Sequence, residues 1–187
     1  MQALELLCNR TSVALLAEPA PTPEQREQLF RAALRAPDHG QLRPWRFLTI
    51  EGDARAQLGE IFVRVQQQEN PNAHPDAFNK ARQMPLRAPL LVVVIARLTA
   101  AHKVPESEQL LAAGCAAHGI LLAAHAQGLG AIWRTGELSH SAAVRQALGL
   151  AASERIVGFI YMGTPRTAPH AINPLKIEDF VEAWSGV

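Results

Sequence analysis

The sequence predicts a fold of helices and strands in which a buried sheet is covered by helices. Two uninterrupted apolar runs, Leu90–Ala96 and Ile156–Met162, have the pattern of strands that are covered on both faces. Helical segments with recognisable caps alternate with these strands. At 187 residues the chain is long enough for one sizeable core and short for two, so we expect a single domain over residues 1–187.

The first half of the chain predicts three helices and one strand. A short helix is expected over Ala3–Cys8. Thr22 opens the second helix, because its hydroxyl can cap free amide groups and is followed by a proline, which suits the first helical position. That helix should end before Pro37, since a residue that precedes proline avoids helical geometry. Trp45–Ile50 then predicts a strand, and Asp53 the cap of the third helix.

The second half contains the two buried strands and the most apolar helix of the chain. Its other predicted elements are a loop over Glu69–Asp76, a helix over Ala77–Met84, a helix from Pro105 to about Gln127, a brief strand over Ala131–Trp133, a helix capped by Ser139 or Ser141, and a last short helix or strand in the tail. The long helix is interrupted by His118 and His125, and its apolar stretch is shorter than the ~20 residues that a membrane span needs. We therefore expect a helix buried in the core or in a subunit interface.

Charge and cysteine content narrow the classes of partner. The 18 basic and 17 acidic side chains nearly cancel and form no long run of one sign, which argues against nucleic acid or a membrane as a partner. The amino-terminal residues lack the pattern of a secretory signal, and Cys8 and Cys115 show no metal-binding spacing. We expect a cytoplasmic protein with two small buried cysteines. No metal site is expected, because the backbones of the two helical histidines are separated by a rise of about 10.5 Å.

Three stretches combine arginine with hydroxyl groups or ring nitrogens at the ends of predicted elements. They are Arg10-Thr11-Ser12, the connection from Arg35 to Trp45, and Trp133-Arg134-Thr135-Gly136. Arginine beside a hydroxyl suits a phosphate, because the planar guanidinium can donate two hydrogen bonds and the hydroxyl a third. Each charged hydrogen bond contributes roughly 1.5 to 3 kcal/mol. Taken singly, each stretch fits exposed residues or a local helix cap better than a ligand site.

Two other kinds of site fit the sequence less well. Gly128-Leu-Gly130 follows a helix instead of opening one after a strand, and the third glycine comes only at Gly136, so these residues do not form a dinucleotide fingerprint. Asp38-His39 has the groups of an acid and a base, but no serine or cysteine nucleophile accompanies it with supporting spacing. Hydrolysis is therefore a poor alternative. His39 is better explained as a donor to a ligand, with a plain turn residue as the competing explanation.

Three motifs in a fixed order carry a family resemblance. Asn-Arg-Thr-Ser lies near the amino end, Ala-Pro-Asp-His is followed by Pro-Trp at the start of a strand, and Gly-Ala-Ile-Trp-Arg-Thr-Gly comes late. Together they resemble the FMN-dependent nitroreductase family, most closely its short, minimal bacterial NAD(P)H nitroreductases. The resemblance implies an α+β fold with a central mixed, mainly antiparallel sheet flanked by helices. It also implies a homodimer with FMN at the subunit interface, and we expect the tail after about residue 163 to reach over the partner subunit.

The resemblance also implies which residues hold the ligands. The residues that match cofactor-binding positions of the family are Arg10, Thr11, Ser12, Arg35, His39, Trp133, Arg134 and Thr135. The amino-terminal three are expected to hold the FMN phosphate and ribityl chain, and the last three to lie against the flavin. The residues that match the nicotinamide-binding segment are Ala123, Ala124, His125, Ala126, Gln127 and Gly128. Arg43 stands where larger members carry glutamine, so no contact is carried over for the positions from Gly40 to Arg43.

The function that the resemblance implies is that of an FMN-dependent oxidoreductase. NADH or NADPH would reduce bound FMN, and a nitroaromatic, quinone or related conjugated acceptor would then be reduced in a ping-pong cycle. Because the flavin carries the chemistry, no catalytic side chain is expected. Two alternatives stay open: a flavin enzyme of the same fold with other chemistry, such as enone reduction, dehalogenation or flavin breakdown, and a flavin-binding protein without turnover.

Overall fold

The elements follow one another in the predicted order. The computed structural model describes residues 2–168 and 170–186. Its α-helices are α1 (Ala3–Asn9), α2 (Pro23–Ala33), α3 (Asp53–Glu69), α4 (Pro75–Gln83), α5 (Glu106–Ala126), α6 (Glu137–His140) and α7 (Ala142–Ala147). Its strands are β1 (Leu16–Ala17), β2 (Trp45–Glu51), β3 (Leu90–Arg97), β4 (Gly130–Arg134) and β5 (Glu154–Pro165). Short 3-10 turns lie at His39–Gln41, Met84–Arg87 and Ile177–Asp179.

The sheet is antiparallel at each pairing between described strands. β5 pairs with β1, β3 and β4, and β3 pairs with β2 on its other side. β3 and β4 both run opposite to β5, so they point the same way, but β5 separates them. The α+β class with helices flanking a sheet is therefore confirmed. The expected mixed character is absent from the described part of the chain, because the strands that run in the same direction are not neighbours.

The central strand β3 is covered on both faces, as its apolar run predicts. Leu91, Val93 and Ile95 belong to one core cluster, which α3 closes with Phe62. The alternate residues Leu90, Val92 and Val94 belong to a second cluster, built mainly with α2 and α5. All six β3 side chains are 0% exposed. The alternation follows from the two-residue period of a strand, which sends successive side chains to opposite faces.

Helix α5 packs in the core through its alanine-rich side. It is long and apolar enough to cross a membrane by length and composition alone. Ala113, Ala116 and Ile120 are fully buried in the cluster with α2 and the sheet. A Cβ at Gly119 would lie 3.0 Å from the Ala32 carbonyl oxygen, so glycine permits the close approach of α5 and α2. The predicted core helix is confirmed, and the other side of α5 leaves Leu111 exposed.

Several local predictions need correction. Asp53 is the first residue of α3 and Gly52 is its N-cap. Pro75 starts α4 two residues early, because the His74 side chain caps it and proline suits the first turn. The helix expected after Ser139 or Ser141 is divided into α6 and α7, and the Ser141 hydroxyl caps α7. Both cysteines are exposed instead of buried, because Cys8 lies on the outer side of α1 and Cys115 on that of α5.

The tail contributes little to the core. Each residue described between 170 and 186 is exposed, and its regular structure is a single 3-10 turn where a short helix or strand was expected. The tail nevertheless carries large apolar side chains, of which Trp184 is 87% and Phe180 70% exposed. Exposed apolar side chains grouped in one segment are typical of a surface that meets another protein.

Candidate functional site

The Arg10–Ser12 segment follows α1 directly and runs along the edge of the sheet. Arg10 is half-buried at the C-cap of α1. The Val13 N–H donates to the Ala131 carbonyl oxygen at 2.9 Å, so the segment is joined to β4. The Thr11 hydroxyl is buried and has no hydrogen-bond partner within the part of the chain that the structure describes. Ser12 lines a cavity of about 180 Å³ with Thr167 and other residues.

The Trp133–Thr135 segment lies at the end of β4, and Trp133 is held there by close packing. The Trp133 indole is half-buried against the α5 side of the sheet. A Cβ at Gly158 would come within 2.0 Å of Trp133 Nε1, and one at Gly114 would lie 3.8 Å from its ring. Glycine at position 158 therefore makes room for the indole. The packed indole gives this edge of the sheet a flat apolar surface.

Arginines from three separate parts of the chain line the largest cavity beside these segments. Arg87, Arg134 and Arg166 surround about 410 Å³, and the remaining wall is apolar, formed by Ala14, Leu15, Leu16 and Leu86. No acidic side chain is among the described residues that line it. Burial raises the pKa of the Tyr161 phenol, and the Arg87 and Arg134 cations oppose that rise. Both guanidinium groups thus lie close enough to the phenol to act on its charge.

Thr135, which follows Arg134, opens into a different cavity. Thr135 and Gly136 line about 230 Å³ together with Lys80, Met84 and Glu137. Successive residues of a strand point to opposite faces, so Arg134 and Thr135 reach separate spaces. The end of β4 therefore lies between an arginine-lined cavity and a second, more mixed one.

Arg35 and His39 lie in another part of the molecule. Arg35 is exposed directly after α2, and His39 is 62% exposed in the following 3-10 turn. His39 Nδ1 lies 2.6 Å from Glu108 Oε2 on α5. Neither Arg35 nor His39 lines the three cavities that adjoin Ser12, Arg134 and Thr135.

The turn around His39 gives its acidic neighbour, Asp38, a structural role. The Arg43 N–H donates to Asp38 Oδ2 at 2.7 Å, which closes the turn. Arg43 and Gln41 have φ values of +49° and +53°, a region that L-residues seldom adopt. Asp38 thus stabilises a strained connection, and the prediction that Asp38-His39 is not an acid–base pair stays a prediction.

The segment predicted to meet the nicotinamide forms the end of α5. Ala124 is fully buried, whereas Ala126 and Gly128 are exposed. The Gln127 side-chain amide donates to the Ala123 carbonyl oxygen at 3.1 Å and, more weakly, to that of Gln25. His125 is half-buried. These contacts close the helix, and the nicotinamide role of the segment stays a prediction.

Sequence reasoning did not assign four side chains that the fold brings to these sites. Arg87 and Lys80 lie in stretches that resemble the family, but the sequence alone attached no role to them. Arg166 and Glu108 carried no signal. Arg87, Arg134 and Arg166 are far apart along the chain, so only strand pairing and the path of β1 bring them to one cavity.

The donor set suits FMN. A phosphate requires cations and hydroxyl donors, and Arg10, Ser12 and the unpartnered Thr11 hydroxyl supply them on one segment. An isoalloxazine requires an apolar surface with polar groups at its edge. Trp133 offers the apolar surface on the adjoining strand, and the polar groups of Arg134 and Thr135 follow it in sequence.

Comparison with known proteins identifies the family of the chain. Residues 9–164 match the model of the Nitroreductase family. Over 168 residues the chain is 49% identical to a protein of Escherichia coli strain K12 named "Putative NAD(P)H nitroreductase YdjA", covering 89% of this chain and 90% of that protein.

Two solved structures share the fold. A nitroreductase-like family protein from Bacillus cereus superposes with a TM-score of 0.84 at 22% identity, covering 100% of this chain and 97% of the other. A nitroreductase from Desulfovibrio desulfuricans, solved in complex with FMN, superposes with a TM-score of 0.74 at 25% identity, covering 98% and 97%.

Proposed function

The chain belongs to the Nitroreductase family and is an NAD(P)H-dependent FMN oxidoreductase, and we propose that its acceptors are nitroaromatics, quinones or related conjugated compounds. The observation that carries the site assignment is the pairing of the Arg10–Ser12 segment with β4 through Val13 and Ala131. This pairing brings a segment with a cation and two hydroxyl groups to the strand that carries Trp133. One chain thereby supplies donors for a phosphate next to a surface for a ring system.

The side chains in this proposal bind and orient, and they move no proton. Arg10 and Ser12 hold the phosphate, and the Thr11 hydroxyl gains a partner on the ribityl chain. Trp133, Arg134 and Thr135 form the wall for the ring, whose orientation fixes which face remains open. When bound, FMN would supply the redox chemistry, accepting a hydride from NADH or NADPH and then passing electrons to the acceptor in a ping-pong cycle. The role of the protein is therefore to position both substrates in turn at the same open face.

The proposal includes a homodimer formed by one domain spanning residues 1–187. Arg35 and His39 lie outside the cavities around Arg10 and Arg134. We therefore infer that each site receives its Arg35 and His39 from a second copy of the chain. Exposed apolar side chains support this: Leu4 and Leu7 on α1, Leu110 and Leu111 on α5, and Leu175, Ile177, Phe180 and Trp184 in the tail. The tail after about residue 163 reaches over the partner. Two free exposed cysteines fit a reducing compartment, and we place the protein in the cytoplasm.

A spectrum of the purified protein tests the proposal first. A yellow protein, or one that turns yellow with added FMN and retains it through gel filtration, is the expected result. Anaerobic NADH or NADPH should then bleach the visible absorption, and a nitroaromatic or a quinone should restore it. A protein that stays colourless after incubation with FMN contradicts the cofactor, and bleaching that no such acceptor reverses contradicts the acceptor class.

A further inference from the structure

The cavity lined by Arg87, Arg134 and Arg166 has more positive charge than the FMN site requires. The FMN phosphate is assigned to the Arg10–Ser12 segment, and Ser12 lines an adjoining cavity that shares Ala14 and Leu15 with this one but none of its arginines. Among the residues that the structure describes, none of the three arginines forms an ion pair with a carboxylate. By contrast, Arg26 and Arg46 are both held by glutamates.

Such an arrangement favours a bound anion. Three guanidinium groups of like charge line one cavity, and no acidic side chain is among the described residues that line it. Arg87 and Arg134 both lie close enough to the buried Tyr161 phenol to oppose the rise in its pKa that burial causes. At about 410 Å³ the cavity has the size of a small-molecule site.

We propose that Arg87, Arg134 and Arg166 form an anion subsite that binds a phosphate group of the nicotinamide dinucleotide. The inference rests on the proposed function, because it places this subsite beside the flavin wall at Arg134. Planar guanidinium forks match a phosphate in geometry as well as in charge. The subsite would let a chain without a dinucleotide fingerprint recognise its reductant by the phosphates while the nicotinamide lies at the flavin.

The test uses oxidised dinucleotides, which bind without turnover. Calorimetric titration of the FMN-loaded protein with NAD⁺ and NADP⁺ is compared for the parent, Arg87→Gln and Arg166→Gln. Each substitution removes charged hydrogen bonds, so the dissociation constant should rise about tenfold or more. Weakening of both dinucleotides indicates the diphosphate, and weakening of NADP⁺ alone indicates the 2′-phosphate. Arg166→Lys keeps the charge but loses the fork, so it should recover part of the affinity.

Controls separate the subsite from FMN binding and from folding. Arg64→Gln, an exposed arginine on α3 away from this cavity, should bind both dinucleotides like the parent. FMN and riboflavin titrations of the apoprotein are run in parallel. If Arg87→Gln and Arg166→Gln weaken FMN but not riboflavin, the FMN phosphate is the occupant and the proposal is overturned. It is also overturned if NAD⁺ and NADP⁺ bind both variants within about twofold of the parent.

Failure of the subsite proposal can be distinguished from failure of the proposed function. A protein that binds no FMN refutes the proposed function, and the same NAD⁺ and NADP⁺ titrations are then performed on the protein without flavin. Loss of dinucleotide affinity in Arg87→Gln and Arg166→Gln would still support the subsite, whereas unchanged affinity would overturn it. Thermal unfolding of each variant shows whether it is folded at the titration temperature.

Discussion

The two groups of predicted cofactor residues differ in how the chain presents them. Arg10–Ser12 and Trp133–Thr135, which we call the flavin wall, are joined by backbone pairing and adjoin three cavities. Arg35 and His39, which we call the helix-end pair, are exposed and line none of these cavities. His39 is instead held by Glu108 on α5.

This difference supports the proposal that one chain presents two incomplete halves of a site. The buried Thr11 hydroxyl has no partner among the described residues, which favours a ligand at the wall, whereas Arg35 and His39 are exposed and available to a second copy. Two copies related by symmetry can satisfy both, because each contributes its wall to one site and its helix-end pair to the other. The five predictions below test this division, from the largest expected effect to the smallest.

Complementation between subunits should have the largest effect. Arg10→Ala and Arg35→Ala homodimers are each expected to bind FMN about tenfold or more weakly, because a charged hydrogen bond is lost. A heterodimer of the two variants should keep one site of parent affinity, since the other site collects both substitutions. Fluorescence titration of the purified heterodimer with FMN measures this stoichiometry. If no site of parent affinity is found, the two groups act within one chain.

A substitution in the Arg46–Glu154 ion pair tests whether a loss of stability alone changes FMN affinity at the flavin wall. Glu154 accepts from Arg46 Nε at 2.5 Å and from the Ala151 N–H at 2.9 Å. Glu154→Gln should lower the free energy of unfolding by about 1 to 3 kcal/mol at neutral pH, because the Arg46 cation loses a charged hydrogen bond at a partly buried site. FMN affinity at a temperature where the variant is folded should stay as in the parent.

The same pair predicts a pH dependence. The hydrogen bond from Arg46 holds the pKa of Glu154 below its ordinary value of 4.5, although burial opposes this. A lowered folded-state pKa means that the contribution is fully present above the unfolded value and is lost as pH falls through the folded one. Denaturant unfolding of the parent between pH 6 and the acid range should show this loss, and Glu154→Gln should lack it. Equal acid sensitivity in both proteins would contradict the assignment.

Gly158→Ala should damage the flavin wall while leaving the helix-end pair intact. The new Cβ would fall within 2.0 Å of Trp133 Nε1, so the indole must move. We expect a loss of about 1 to 3 kcal/mol in stability from overpacking, together with weaker FMN binding. Gly114→Ala is the matched control, because its Cβ would contact the same indole at an ordinary 3.8 Å. Equal FMN affinity in the two variants would show that the position of Trp133 is unimportant.

Glu108→Gln should have the smallest effect, confined to the helix-end pair. The two partners are 62% and 45% exposed, and exposed ion pairs contribute about 0.2 to 1 kcal/mol. FMN affinity should therefore fall about fivefold or less. In a His39→Gln background the same substitution should have no further effect, which a double-mutant cycle of FMN titrations measures. An equal effect in both backgrounds would mean that Glu108 does not act through His39.

Local signals predicted most of the elements because each depends on neighbours in sequence. The apolar run at Leu90–Ala96, the capping box at Thr22 and the proline at Pro105 all mark elements that the structure contains. β1 was not predicted, because two residues are too few to show a period and pairing with β5 decides their conformation. The burial expected for Cys8 and Cys115 was wrong because cysteine itself does not show which side of a helix it occupies.

The sequence by itself determined the buried central strand and the polar segments at Arg10–Ser12 and Trp133–Thr135, and the family resemblance supplied the α+β class. Periodicity, caps and hydrogen-bonding groups are properties of short stretches, so they can be read without the fold. Only the tertiary structure decided that Arg87, Arg134 and Arg166 meet at one cavity and that His39 is held by Glu108. These are contacts between residues distant along the chain, and the pairing of strands and the packing of α5 create them.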